Sequence, residues 1–412
     1  MNTSLPTHAQ VVIIGGGIIG CSVAWHLTRL GWTDVVLLER QQLGCGTTWH
    51  SAGNIVRLDT SPTMIQIYRY GAELYSEIEQ ETGQAVGWRN CGRVMVARTP
   101  ERVAEFQHII TAARNIGTEV ELVTPGEVRD RLPILRTDDL LGAIWSPGDG
   151  RVNPTDLLTA YARGARSRGA RIIEAMEVHD IETANGAVTA VSSQAGRIKC
   201  EVIVNCAGLW ARQLGQRHDV TIPLYPTEHF YLLTEPIEGI DSSMPTFRDP
   251  DGLVYGREEV GGLLFGCFDR NAKPIAPDTL PKDFSFTLLN EDWEQFGPYM
   301  TEGIRRIPAL KQAGVRKLLN GPESFTPDGY PIMGQAPGLK GYFVLAGMNS
   351  AGVTTSAGMG RVLAHWIVNG APDTDISCFD MQRFRPEHNE ESWLREKIRH
   401  VPSAHMDIGI VH

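Results

Sequence analysis

The sequence predicts an α/β protein (α+β overall) of two lobes, a Rossmann-like nucleotide lobe and a second lobe built on an antiparallel sheet. Three observations predict it. Residues 11–14 form a continuous β-branched run that meets Gly15-Gly16-Gly17 and then a helical stretch to Arg29, the pattern of a strand buried on both faces feeding a helix. Residues 202–205 return to a buried strand before Ala207-Gly208, so βαβ material continues well past residue 150. Between about 222 and 270 the texture changes to alternating strands at 229–234, 253–257 and 263–268, the last two joined across Glu259-Val260-Gly261-Gly262.

The remaining elements follow in order. Gly31 closes the first helix and 35–38 is the next buried strand. Apolar residues at Met64, Ile67, Tyr68, Leu74, Tyr75 and Ile78 make one stripe of an amphipathic helix over 63–79, with Pro62 just before it, and a second helix runs over 101–115. Thr124-Pro125-Gly126-Glu127 and Asn153-Pro154-Thr155-Asp156 are helix starts, each with a capping side chain followed by proline. The helix after Asn153 passes through Gly169 into a strand over 171–178, and a late strand at 342–346 leads through a Gly-, Asn- and Ser-rich turn into a helix over 355–368. The nucleotide lobe is therefore expected to be discontinuous, from 1–90, 145–220 and 325–385, with 91–144 and 221–324 forming the substrate lobe. The charged tail, 386–412, reads as a solvated helix or a poorly ordered end and is assigned no chemistry.

Composition narrows the function classes. A net charge of −10 with no basic run gives no attraction for nucleic acid or an anionic membrane surface. The longest apolar stretch, 11–27, contains a glycine turn, Trp25 and His26, so it is neither an anchor nor a secretory signal. Seven cysteines, odd in number, scattered and never in a CxxC pair, predict reduced thiols and a cytoplasmic location, with no disulfide framework and no metal site.

Gly15-x-Gly17-x-x-Gly20 follows a buried strand and opens a helix: the first glycine makes the turn, the second admits a pyrophosphate, and the third lets helix and strand pack. Glu39, nineteen residues beyond Gly20, stands at the end of the second strand, where a carboxylate accepts hydrogen bonds from a ribose. This spacing suits NAD or FAD. The segment after Glu39-Arg40, residues 44–53, is mostly small residues, with Trp49 and one imidazole, a thin wall of the kind a flavin ring needs. In 347–354, backbone N–H groups and a positive helix end meet at one spot, suited to negative charge on a reduced flavin. These features fit a flavoprotein better than an NAD-dependent dehydrogenase.

At these residues the sequence resembles the amine-oxidising flavoproteins around dimethylglycine dehydrogenase, sarcosine dehydrogenase and dimethylglycine oxidase, within the D-amino-acid oxidase superfamily. The resemblance runs over nearly the whole chain. It rests on 11–39, on Thr47-Thr48-Trp49-His50-Ser51-Ala52-Gly53, on Asn205-Cys206-Ala207-Gly208-Leu209-Trp210, and on Phe325-Thr326-Pro327-Asp328-Gly329 with Asn349-Ser350-Ala351-Gly352. It implies FAD, bonded covalently through its 8α-methyl to His50. The cofactor set expected is Gly15, Gly17, Gly20, Glu39, Arg40, Thr48, His50, Gly53, Val178, Ala207, Gly208, Gly347, Ser350, Gly352 and Val353.

The resemblance also implies catalytic roles for His229, which influences amine protonation, and Tyr255, which positions substrate. Strand alternation places His229 with Tyr231, and Tyr255 with Arg257, on shared faces. An amino-acid carboxylate would want a guanidinium, and Arg57 and Arg257 are the candidates. The activity implied is oxidation of the C–N bond of a small secondary or tertiary amino acid, an oxidative demethylation of the N-methylglycine type. The electron acceptor is oxygen or an electron-transfer flavoprotein. No folate-binding half is expected in the chain, so the iminium product would hydrolyse and release formaldehyde unless a separate folate-binding partner intercepts the one-carbon unit. Alternatives are a glycine or D-amino-acid oxidase or dehydrogenase with noncovalent FAD, and a flavin-bearing subunit of a hetero-oligomeric oxidase.

Overall fold

The computed structural model describes residues 5–406. The first four residues of the expected nucleotide lobe and the last six of the expected tail lie outside the described residues.

The first sheet is centred on His8–Ile14, flanked in parallel by Val35–Leu38 and Gly196–Asn205. Every residue of 11–14 and 35–38 is buried, as β-branched runs between two covering layers require. Register aligns the carboxyl ends: Ile14 pairs with both Leu38 and Asn205. The three loops that follow these strands are thereby brought side by side, at the edge where open α/β sheets bind ligands. Tyr342–Ala346 extends the sheet in parallel beyond Gly196–Asn205, and helices Ile18–Arg29, Pro154–Ser167 and Gly352–Asn369 pack together on one face. Pro62–Thr82 packs against the last two of these, with Ser61 accepting the Met64 N–H as its cap and Pro62 in the first turn.

The second sheet has eight strands. From one edge it runs Val315–Phe325, Tyr225–Thr234, Gly262–Cys267, Val254–Glu259, Thr246–Asp249, Arg93–Ala97, Gly142–Ser146 and Glu121–Val123. All neighbours are antiparallel except Thr246–Asp249 with Arg93–Ala97. The hairpin at 259–262 turns through Val260 and Gly261, both at positive φ (51° and 76°), the two-residue geometry that matches strand twist.

Four expectations are corrected. The strand beginning at 171 ends at Ile173, because Ala175 takes a left-handed φ of 53°, and Val178 instead opens a separate hairpin strand, Val178–Ala184. The late helix starts at Gly352, three residues earlier than its apolar pattern suggests. Gly142–Ser146 straddles the expected boundary at 145 and lies wholly in the second sheet. The tail is not a solvated end: Leu394 and Ile398 of Glu391–Ile398 are fully buried in a cluster with Tyr225 and Phe325. Among the described residues no helix is long and apolar enough to cross a membrane.

Candidate active site

The nucleotide cradle is built from backbone. Gly15 sits at φ 110°, and a Cβ there would stand 2.4 Å from the carbonyl oxygen of Cys206. At Gly20 a Cβ would meet the Gly15 carbonyl at 2.0 Å, whereas at Gly17 it would find nothing closer than Thr48 Oγ1 at 3.5 Å. The outer two glycines are thus demanded by packing, and the middle one leaves open space beside a helix N-terminus, where a pyrophosphate would lie. Thr48 Oγ1 accepts the Ile18 N–H (3.1 Å), tying the next loop to that helix start. Glu39 accepts one backbone N–H on each oxygen, from Gly16 (2.7 Å) and Gln41 (2.8 Å); the second oxygen also takes the Cys45 thiol (3.8 Å), and the first keeps a further lone pair for a ribose.

Arg40 stacks on Trp210 with its guanidinium carbon 3.5 Å from the ring centroid. Burial lowers its pKa, and its Nη2 is buried with no hydrogen-bond partner. Ala207 and Gly208 lead from the same strand end toward Trp210, Gly208 at φ 56°. Val178 is half-buried, just past Met176, whose N–H donates to the Glu39 carbonyl (2.8 Å).

Between the sheets lies a cavity of about 430 Å³. Thr47, His50 and Gly53 line it from the loop after the cradle, and Gly53 bends that loop at φ 69°. His50 is buried, edge-on to Trp49, and its Nε2 has no partner. The ring fits because residue 321 lacks a side chain: a Cβ there would stand 2.4 Å from His50 Cε1. Burial drives the His50 pKa down to about 4, so the imidazole is neutral. Opposite runs the turn 347–351, where Gly347, Asn349 and Ser350 all take positive φ (68°, 49° and 62°). Asn349 holds this conformation by accepting the Thr326 N–H (2.9 Å) and donating to the Gly347 carbonyl (2.6 Å). Ser350 and Val353 line the cavity, while Gly347 and Gly352 shape the turn and the helix start behind them.

The second sheet supplies the far wall. Tyr231, Gly266, Tyr255, Arg248 and Met95 form one row across five strands, so their side chains share a face. The Tyr255 ring lies across Gly266, where a Cβ would meet its Cζ at 2.3 Å. Two residues along the outer strands put His229 and Arg93 on the same face, and Glu323 stands two positions from Gly321, the partner of His229. His229 Nε2 is 3.4 Å from Ser350 Oγ and 3.7 Å from a Glu323 oxygen. Burial, with a smaller contribution from His50, lowers the His229 pKa to about 4, while burial pushes the Glu323 carboxyl up to about 7. Burial also holds the Tyr255 phenol well above its ordinary value, so it stays protonated.

Neither expected arginine reaches this cavity. Arg57 lies against Gly148, where a Cβ would stand 2.5 Å from its Nη1. Arg257 donates to the Ala52 carbonyl (2.6 Å) and to Glu259 (2.5 Å), anchoring the loop that carries His50. The guanidiniums that do line the cavity are Arg93 and Arg248. Arg93 is paired only loosely, at 3.9 Å from Asp149, and its Nε has no partner. Arg248 makes no ion pair among the described residues and donates to the His405 carbonyl; burial, reinforced by Arg93 and Arg102, lowers its pKa to about 9. His400, Val401 and His405 close this end, so the tail is part of the wall. No sequence pattern singles out Arg93 and Arg248, since both of their strands are short and buried along their whole length.

The fold and this cradle define a flavoprotein oxidoreductase, and the chain belongs to the FAD dependent oxidoreductase (DAO) family, whose model matches residues 10–366. It is similar to the mouse pyruvate dehydrogenase phosphatase regulatory subunit (39% identical, covering 99% of this chain and 47% of that protein) and to human sarcosine dehydrogenase (38%, 99% and 45%). It is 35% identical to 4-methylaminobutanoate oxidase (formaldehyde-forming) of Paenarthrobacter nicotinovorans, over 98% of this chain and 50% of the relative. The chain thus spans about half the length of these curated relatives. Among solved structures, L-proline dehydrogenase from P. horikoshii superposes with a TM-score of 0.83 at 25% identity, covering 92% of this chain and 98% of that one.

Proposed function

We propose that the chain holds FAD across the cradle, bonded to His50, and oxidises the C–N bond of a small N-methylated amino acid. The observation that carries this reading is one cavity that holds two buried guanidiniums, Arg93 and Arg248, together with His229, Tyr255, Glu323 and the unpartnered His50 nitrogen. An anion and an amine on one short molecule match those groups. The chain's residues fit the cofactor, since the open space at Gly17 and the unpartnered Arg40 Nη2 and His50 Nε2 are groups a dinucleotide would satisfy.

When bound, FAD supplies a two-electron acceptor for the hydrogen on the carbon next to nitrogen. The protein's part is placement. Arg93 and Arg248 hold the carboxylate, the Tyr255 phenol directs the substrate, and neutral His229 faces the amine. Water then hydrolyses the iminium to the demethylated amine and formaldehyde. The electrons pass to oxygen or an electron-transfer flavoprotein, and formaldehyde is the one-carbon product unless a folate-binding partner intercepts it. Relatives named for sarcosine, dimethylglycine and 4-methylaminobutanoate support the substrate class.

The test is to precipitate the purified protein with acid, locate flavin by peptide mass, and mix the holoprotein anaerobically with sarcosine, dimethylglycine and 4-methylaminobutanoate. Flavin on the His50 peptide and bleaching by at least one of the three are expected. Flavin wholly in the supernatant, with bleaching by glycine, would favour a noncovalent oxidase, in line with the 27% identity to the glycine oxidase of Geobacillus kaustophilus. Similarity to a phosphatase regulatory subunit favours a second reading, a flavin-bearing subunit without turnover. Bound flavin that no amine bleaches would select it.

A further inference from the structure

An amino acid in water carries an ammonium group, whose nitrogen has no lone pair until one proton leaves. Of the groups around the amine end, His229 is a poor acceptor, since its imidazole binds a proton only near pH 4. Tyr255 is a phenol with its proton firmly held. Glu323 is the remaining candidate. Its strand, Val315–Phe325, sets it beside His229, its oxygen 3.7 Å from the imidazole Nε2, and the Ser350 hydroxyl hydrogen-bonds it. No lysine or arginine pairs with it among the described residues, so its charge is not cancelled by the protein. Other titratable groups lining the cavity include His50 and His405, both interacting with His229 and the latter driven to about 3 by burial, the phenols of Tyr68, Tyr231 and Tyr330, Asp328, which pairs with Arg383, and Asp59, which burial raises to about 6 and which interacts with Arg248 instead. Arg93 and Arg248 line the same cavity without pairing with it.

We infer that Glu323 is the carboxylate that recognises the substrate's ammonium group and takes its proton, with Ser350 and His229 positioning it; this rests on the amine-oxidising reading above. In this step one N–H bond breaks and one carboxyl O–H bond forms. Both electrons of the N–H bond stay on nitrogen as its lone pair, so no oxidant is consumed. The cavity thereby offers both charges that a zwitterion needs: the guanidiniums of Arg93 and Arg248, with Asp59 near the latter, and the carboxyl of Glu323 beside His229. A carboxyl poised near pH 7 when empty is driven to ionise by an arriving cation, then can receive the proton at little cost.

The experiment uses holoprotein and two probes that cannot be oxidised at nitrogen. Trimethylglycine carries a fixed positive charge, and (methylthio)acetate is a neutral thioether of similar shape. Binding is followed by the flavin spectrum, and proton release by an indicator dye in weakly buffered solution at pH 7. Trimethylglycine is expected to release about half a proton from wild type, the share bound by a group titrating near 7, and none from Glu323→Gln. (Methylthio)acetate should release none from either protein and bind both within threefold, showing that the variant is folded. With an oxidisable N-methyl amino acid, Glu323→Gln should slow flavin reduction about 100-fold at pH 7, and the rate should climb with pH toward the amine's own pKa. Failure of trimethylglycine to bind, or equal proton release from both proteins, would overturn the inference, as would an unchanged pH profile in the variant. Proton release lost in the variant, in a protein that oxidises no amine, would keep Glu323 as an ammonium site and reject the oxidative reading instead.

Discussion

The two walls of the cavity are made differently. The cofactor wall is backbone: three loops at the ends of parallel strands, with glycines where a Cβ would strike a carbonyl and a turn of three left-handed residues held by Asn349. The opposite wall is side chain: one face of an antiparallel sheet, with Arg93, His229, Arg248, Tyr255 and Glu323 each on a different strand. The first kind of wall accepts any ligand with the right phosphates and rings, and the second selects among small molecules by charge. Substitutions in the two should therefore fail in different ways.

The largest effect is expected in the backbone wall. Gly15→Val puts a branched side chain where even a Cβ would lie 2.4 Å from the Cys206 oxygen, at a φ that valine resists. Purified Gly15→Val should carry no flavin and lose thermal stability. Gly17→Ala, with its nearest neighbour at 3.5 Å, should keep the wild-type Tm yet bind FAD at least tenfold more weakly. Equal Tm losses in both would mean that the middle glycine also serves packing.

The side-chain wall should fail in kinetics. Arg248→Leu removes a guanidinium with no ion pair of its own, so folding loses little, but a substrate carboxylate loses a desolvated charge partner. A fall in kcat/KM of about 10³-fold, roughly 4 kcal/mol, is expected for an N-methyl amino acid. N-methyl amines lacking a carboxylate should be affected far less. A uniform loss for both substrate types would move the carboxylate site elsewhere.

These contrasts also explain what the sequence could show. The cradle was legible because its parts are local: Gly15, Gly17 and Gly20 lie within six residues, and Glu39 closes the next strand. His229 and Tyr255 came from resemblance, and both line the cavity. Arg93, Arg248 and Glu323 were missed because what joins them is the cross-strand register, set by pairings between residues 150 or more apart in places, such as Arg248 with Met95. Arg57 follows the loop that carries His50 and Arg257 shares the strand of Tyr255, but neither position says where a long side chain ends. The tail was misjudged for a related reason: its charged residues hid Leu394 and Ile398, whose burial depends on Tyr225 and Phe325.

Acid separates the walls again, more gently. Behind the cofactor wall, burial drives His26 to about 3 from an ordinary 6.5. The unfolded chain binds that proton below 6.5 and the folded chain does not, so stability falls as pH drops from 6.5, by up to about 1.4 kcal/mol per pH unit. In the cavity His50 and His229 act in the same direction, but Glu323, raised from 4.5 to about 7, opposes them, because the folded state binds its proton first as pH falls from 7 to 4.5. Urea denaturation at pH 6.5 and 4.5 should show a shallower acid loss in His26→Asn and a steeper one in Glu323→Gln. Parallel lines for both variants would contradict the protonation states assigned to these sites.

The smallest effect separates the two arginines that lie outside the cavity. Arg57 packs on Gly148 outside the cavity lining and reaches Arg93 only through Asp149, so Arg57→Ala should change KM for any N-methyl amino acid less than twofold and leave the flavin attached. Arg257 is likewise absent from the cavity lining but holds the Ala52 carbonyl at 2.6 Å, two residues from His50. Arg257→Ala should therefore spare KM to the same degree while lowering the fraction of protein whose flavin survives acid precipitation. A KM that rises tenfold or more in Arg57→Ala would return that arginine to the substrate site, and undo the assignment of the carboxylate to Arg93 and Arg248.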